Sequence, residues 1–456
     1  MQTTENELMG TEKLSKLMLK MAIPSILAQI INILYNIVDR IYIGRIPDVG
    51  INALTGVGVT FPILTFISAF SAFVGAGGAP LSAIWLGKGD RDKAEKIMGN
   101  GVFLLIVFSV LCMAAFYIFM RPILYAFGAS DSTYGYASSY LSIYLVGTLL
   151  VQLVLGLNPY IITQGRSTHA MVSIVVGAVT NIVLDPIFIF VFKMGVRGAA
   201  VATVISQLFS AIWTVYVLCD KKSTLKIKLK FLKPDFKIIG HICALGVSPF
   251  IMRSTESLVG IVLNRGLQLY GGDLHVATVT VMQSIMQLIF APISGFTQGV
   301  QPIISYNYGA GKFHRVKRTY RSMIGICFAF SLVATLLTIF LPRFFASMFT
   351  TDITLIELVG RQMPVFMFGM LFFGLQMGIQ PTFLGLGEAK LSLFIALLRK
   401  VLLLVPLAII LPKFFGVWGI YYAEPISDIL SATIATLLFI FNIRRILTTE
   451  NLEKIK

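Results

Sequence analysis

The chain has 456 residues, of which 56% are hydrophobic and only 13% charged. Soluble domains run near a quarter charged and could not hide this much apolar side chain in two or three cores, so the solvent is lipid. Four scattered cysteines, with no Cys-x-x-Cys or Cys/His cluster, exclude a disulfide scaffold and a zinc site, and the net charge of +16 must be read by position.

Apolar stretches long enough to cross a bilayer lie at 17–43, 53–82, 97–119, 136–160, 168–192 and 197–219. Beyond a lysine-rich segment they resume at 239–268, 275–304, 320–341, 355–380, 390–412 and 416–442. The expected fold class is an all-α membrane protein with twelve transmembrane helices. With the N-terminus inside, 27 lysines and arginines fall on the inner side of these spans and six in the outer breaks, counting Arg399 and Lys400 with the inner group. This bias predicts a multi-pass protein of the cell membrane with both termini cytoplasmic. The basic charge therefore marks topology and contact with the lipid bilayer, and no nucleic-acid partner is expected.

The chain repeats itself at an offset of 222 residues, pairing Gly77 with Gly299, Pro80 with Pro302, Gly87 with Gly309, Gly147 with Gly369 and Pro159 with Pro381. A one-residue slip then pairs Gly195 with Gly416. Shared glycines and prolines mean shared backbone shape. Six spans per half is an even number, so the halves are parallel repeats. They are expected to form two six-helix lobes, residues 1–220 and 238–456, joined by a cytoplasmic basic linker at 221–237. Two such bundles around a cleft make a transporter plan.

Along the spans, charge and polarity recur at membrane depth. Asp39 lies ~33 Å up span one from Leu17, Asp185 ~25 Å up span five from Thr168, and Thr203 ~7–8 Å below the outer end of span six, at 1.5 Å per residue. Asn181 precedes Asp185 by one turn and shares its face. A charge at this depth costs at least ~2.5–3.5 kcal/mol, so it faces a wet cavity or a partner. Two carboxylates, an amide oxygen and a hydroxyl suit a monovalent hard cation, or two close carboxylates share a proton. The plainer alternative pairs Asp39 with a neighbouring arginine and leaves Asp185 to cap a bent helix.

Candidates for a substrate cavity are Tyr35 on span one, Asn158 before Pro159 on span four, Glu256 on span seven, and Met282, Gln283, Met286 and Gln287 on span eight. Glu424 on span twelve joins them, placed opposite Thr203 by the slipped repeat. Methionine walls repack around varied ligands. Plainer readings are that Asn158 merely breaks its helix, that Arg253 neutralises Glu256, that Glu357 and Arg361 pair, and that Asp428 pairs with Arg399 or Lys400.

The segments Pro24…Tyr35-Asn-Ile-Val-Asp39-Arg-Ile-Tyr-Ile-Gly44, Gly75-Ala-Gly-Gly…Gly87-Lys-Gly-Asp90, Asn181-Ile-Val-Leu-Asp185-Pro186 and Gly195-Val-Arg-Gly198 resemble the multidrug and toxic compound extrusion (MATE) family. The similarity extends over essentially the whole chain and is nearest the branch with paired N-lobe aspartates. It implies a coupling-ion site at Asp39, Asn181, Asp185 and Thr203. It also implies a monomeric secondary transporter that exports cationic amphipathic compounds in exchange for Na⁺ or H⁺ by alternating access of the two lobes. Neither a catalytic residue nor a cofactor is expected, and the chain is read as a non-enzyme. A flippase or exporter of lipid-linked or polysaccharide substrates with the same plan is the alternative. An ATP-driven pump is disfavoured because Gly309-Ala-Gly311-Lys312-Phe313 lacks the first glycine and the Ser/Thr of a phosphate loop. An intramembrane aspartyl protease is disfavoured by the Val-Leu-Asp185-Pro setting of its would-be second aspartate.

Overall fold

In lipid every backbone polar group must be satisfied within its own segment, so each apolar stretch closes into a helix. A computed structural model describes residues 5–47 and 50–454; Lys456 of the C-terminal basic group lies outside them. Spans one to six are Leu14–Gly44, Gly50–Gly87, Arg91–Ile118, the pair Asp131–Val146 and Thr148–Thr163, Ser167–Pro186 with a π-helical turn Ile187–Val191, and Val196–Cys219. Spans seven to nine are Phe236–Gly271, Asp273–Gly309 and Phe313–Phe340. Span ten is the pair Ile353–Met367 and Met370–Gly385. Span eleven runs through Ala389–Leu397, a π-helical Leu398–Leu404 and Val405–Ile410, and span twelve is Val417–Ile446. Among the described residues ten helices are long and apolar enough to cross alone, and the two bent pairs complete twelve.

Those bends follow the duplication. Span four turns by 60° at Gly147 and span ten by 49° beside its repeat partner Gly369. Gly195 and Gly416 likewise open spans six and twelve with nearly the same left-handed backbone, φ 56° and 58°, a region that disfavours any side chain.

The lobes meet crosswise: span two runs along span seven, and span eight along span one. At one end of the seam a Cβ on Gly87 would sit 2.0 Å from the Tyr306 carbonyl oxygen, and one on Gly309 would sit 1.9 Å from that of Ile84. Residues 84 and 306 are themselves repeat partners, so the crossing has a pseudo-two-fold symmetry. Between helices in lipid there is little hydrophobic drive, and close packing over glycine supplies the attachment instead. The same end is pinned by Lys312, whose Nζ donates to the Gly10 carbonyl at 3.0 Å, and by Arg315, which donates to those of Met9 and Glu12.

The lysine-rich segment between spans six and seven lies on the start of span three. Lys96 pairs with Asp235 at 2.7 Å, Lys228 with Glu95, and the Asp235 N–H donates to Asn100 Oδ1 at 2.7 Å. Arg399 and Lys400, grouped in the sequence with the inner basic residues, are instead buried within span eleven.

Candidate functional site

Span one carries Tyr35 and Asp39 on one face, a turn apart, and both line an internal cavity. Asn181 and Asp185 present one face of span five, immediately before Pro186 and the π-helical turn. Pro186 has no N–H to donate, which loosens the helical ladder where Asp185 sits. Thr203 faces them from the first turns of span six.

The four side chains form one buried cluster. Asn181 Nδ2 donates to Asp185 Oδ1 at 3.2 Å and to Thr203 Oγ1 at 3.4 Å. The Thr203 hydroxyl gives its proton to the Ala199 carbonyl at 2.9 Å, which leaves its oxygen as an acceptor toward the cluster. Asp39 and Asp185 bring their carboxyl groups within hydrogen-bonding reach of each other. Asp39 Oδ1, Asp185 Oδ2 and Asn181 Oδ1 are buried and have no hydrogen-bond partner among the described residues. An unsatisfied buried acceptor costs ~1–3 kcal/mol, so the cluster is short of a cation or a proton. The neighbouring Arg40 supplies neither, since its guanidinium stacks 3.9 Å above the Phe61 ring. Among the described residues no arginine forms an ion pair with Asp39.

The cavity next to this cluster has a volume of about 410 Å³, within the range of small-molecule pockets. Tyr35, Asp39, Tyr140, Asn158 and Thr203 wall it from the first lobe, and Arg253 and Gln298 from the second. Asn158 is held to Ser173 Oγ by a 2.8 Å hydrogen bond, and Gln29 Nε2 donates to Gln298 Oε1 at 3.0 Å across the seam.

Other expected cavity residues are elsewhere. Met282 is fully buried in the second lobe's core with Val259, Met363 and Tyr421, and Met286 packs on that core. Gln283 is half-buried and Gln287 exposed, and none of these four borders the cavity. The face of span eight that the sequence left undirected points at spans seven, ten and twelve.

Three acids of the second lobe, Glu256, Glu424 and Asp428, are matched with cations. Arg399 Nε donates to Asp428 at 2.6 Å and its Nη2 to Glu424 at 3.1 Å, while its plane lies 3.9 Å over the Phe373 ring. Glu256 pairs with Lys400, so the expected Arg253–Glu256 neutralisation does not occur. The π-helical segment sends two consecutive basic side chains in different directions, Arg399 to span twelve and Lys400 to span seven. Glu357 and Arg361 are exposed and form no ion pair among the described residues.

Sequence reasoning missed Tyr140, Tyr144, Gln207 and Arg253 as cavity residues. Tyr140 and Tyr144 were available as an i,i+4 aromatic pair on span four. Arg253 was visible as a charge within a span, but its nearest acid in sequence drew the assignment.

The profile of the MatE family matches residues 24–187 and 250–410. The multidrug export protein MepA of Staphylococcus aureus (strain MRSA252) is 24% identical over 443 residues, covering 97% of this chain and 96% of MepA. The solved structure of a multidrug resistance MATE family transporter of the MOP superfamily, in an outward-facing conformation, superposes with a TM-score of 0.89 at 23% identity over 100% of both chains. A MOP superfamily transporter from Pyrococcus furiosus, described by the reverse polarity of its binding pocket, gives 0.91 at 23% identity over 98% of this chain and 100% of its own. With a family profile spread over both lobes and the twelve-helix architecture in common, this multi-pass membrane protein belongs to the MATE family of transporters.

Proposed function

We propose that the protein is a secondary active efflux transporter that exports cationic amphipathic compounds in exchange for Na⁺ or H⁺. The observation that carries this reading is the Asp39–Asp185–Asn181–Thr203 cluster, in which three buried oxygens have no partner among the described residues and of which Asp39 and Thr203 line a cavity between the lobes. An entering cation or proton satisfies those oxygens, and its gradient supplies the work, to which the membrane potential adds ~2.3 kcal/mol per charge per 100 mV. Na⁺ and H⁺ compete for the same two carboxylates, so either gradient drives export. Met282, Gln283, Met286 and Gln287 have no part in the resting cavity under this reading, and Glu256 and Glu424 act as structural ion-pair partners.

In this scheme residues 1–220 and 238–456 move as two lobes about the basic linker at 221–237, in a monomer. The basic face, with both termini, is cytoplasmic. The Gly87–Gly309 crossing then closes the inner end, and the cavity belongs to the outward side of the alternating-access cycle. The flippase alternative is less well supported, because Arg253 is the one basic side chain among the described cavity-lining residues. The test is ethidium export by the purified protein in vesicles under an imposed Na⁺ or H⁺ gradient. Export by Asp39→Asn at the wild-type rate would overturn the coupling assignment.

A further inference from the structure

The cavity holds both signs of charge, and its positive group has no partner among the described residues. Arg253 reaches the cavity from span seven and is exposed along its wall. Among the described residues no carboxylate lies within ion-pairing distance, because the acid three residues away, Glu256, is held by Lys400. The other two acids near span eleven, Glu424 and Asp428, are held by Arg399. A guanidinium whose five donors meet no acceptor among the described residues is matched to a carboxylate or a similar planar anion.

The acid on the opposite wall is Asp39, whose Oδ1 is likewise unengaged. Their levels follow from ring contacts along span two. Phe61 lies under Arg40, beside Asp39, whereas Phe66 and Phe70 pack on Phe250, three residues before Arg253. The five to nine residues between these contacts rise ~8–14 Å, and the step from Phe250 to Arg253 recovers ~4–5 Å of it. The two charges are thus offset by several ångströms along the membrane normal, about the span of one drug-sized ring system.

We propose that Arg253 is an anion-docking group, so that the transporter's preferred cargo is zwitterionic. The cationic centre of such a compound is drawn to the Asp39 side and its carboxylate is bound by Arg253. Arg253 thereby acts as a specificity-determining residue supplied by the second lobe to a cavity walled mostly by the first. Loss of that contact when the lobes part would weaken cargo binding, which links release to the lobe movement. This inference rests on the efflux reading above and narrows its cationic cargo to compounds that also carry a carboxylate.

The experiment uses a matched pair of dyes, rhodamine B, which carries a cationic xanthene and a carboxylate, and its ethyl ester, which carries only the cation. Binding to purified protein is read by fluorescence polarisation, and export is read in vesicles. Wild type is expected to bind rhodamine B more tightly than the ester. Arg253→Gln is expected to lose about tenfold affinity for rhodamine B, as befits a charge-assisted contact, while leaving the ester unchanged. Arg253→Lys should retain part of the preference, and unchanged ester binding reports an intact fold. Equal loss for both dyes, or no loss for either, overturns the inference while leaving the efflux reading in place. Export of neither dye by wild type overturns the efflux reading and this inference with it. Displacement of the ester and rhodamine B alike by phosphatidylglycerol, with no preference between the dyes, assigns Arg253 to a lipid headgroup and also overturns it.

Discussion

The two lobes share a backbone but treat buried acid in opposite ways. In the first, Asp39 and Asp185 face each other with an amide and a hydroxyl, and their spare oxygens have no partner among the described residues. In the second, Arg399 answers Glu424 and one oxygen of Asp428, and Lys400 answers Glu256, which leaves Asp428 Oδ2 as the spare oxygen of a carboxylate that already has its cation. Removing a charge from water without compensation is costly, so an uncompensated pair is kept for something that arrives from outside, whereas a compensated set serves to hold helices together. Duplication supplied two similar frames, and side chains on spans five and eleven then placed an acidic cluster without a basic partner in one and an ion-paired network in the other.

The sharpest way to break this comparison is to strip the second lobe of its cation. Arg399→Leu leaves Glu424 and Asp428 buried without a partner and should destabilise the protein by ~3–5 kcal/mol, seen as a large fall in melting temperature in detergent. Neutralising the two acids in the same chain should recover much of the loss. A melting curve for Arg399→Leu that overlies wild type would mean the network is not structural.

Next in size is the first lobe. Asp39→Asn or Asp185→Asn should lower Na⁺ affinity by ~10-fold or more, equivalent to ~1.4 kcal/mol, and stop gradient-driven export, with melting little changed or raised. Glu424→Gln should keep more export than Asp185→Asn, and the reverse ranking in vesicle transport would exchange the roles assigned to the lobes. A smaller effect is expected at the neutral ligands. Thr203→Ala removes one acceptor at ~0.5–1.5 kcal/mol and should weaken Na⁺ binding several-fold by isothermal titration without abolishing transport.

The smallest effect concerns the basic segment between the lobes. The Lys96 ammonium, aided by the Ile238 and Lys237 N–H groups, holds the Asp235 carboxyl below the usual carboxylate range. A depressed value means that the tether is fully present above the ordinary carboxylate pKa of about 4 and is lost as pH falls through the lowered one. Hydrogen exchange across 229–237 should therefore stay constant from neutral pH to about 4, after correction for intrinsic rate, and rise only below it. Lys96→Gln should bring that onset upward, and an unmoved onset would show that the lysine is not the cause.

Much of this molecule was legible in its residue order. Twelve apolar stretches specify twelve spans because lipid leaves the backbone no other choice, and the glycines at a 222-residue offset announce two lobes of one shape. Asp39, Asn181, Asp185 and Thr203 could be grouped by helical rise alone, since three helices of known direction place them at similar depth. Depth along an axis is a one-dimensional quantity, and rotation about that axis is not contained in it. Only the packed structure turned Met282 into the core and Arg253 toward the cavity. Only the packing around span eleven set Arg399 against span twelve and Lys400 against span seven, which took Glu256 away from its neighbour in sequence. In a uniformly apolar solvent a helix has little amphipathic signal to orient it, so the facing of these side chains was decided by close packing against particular neighbours.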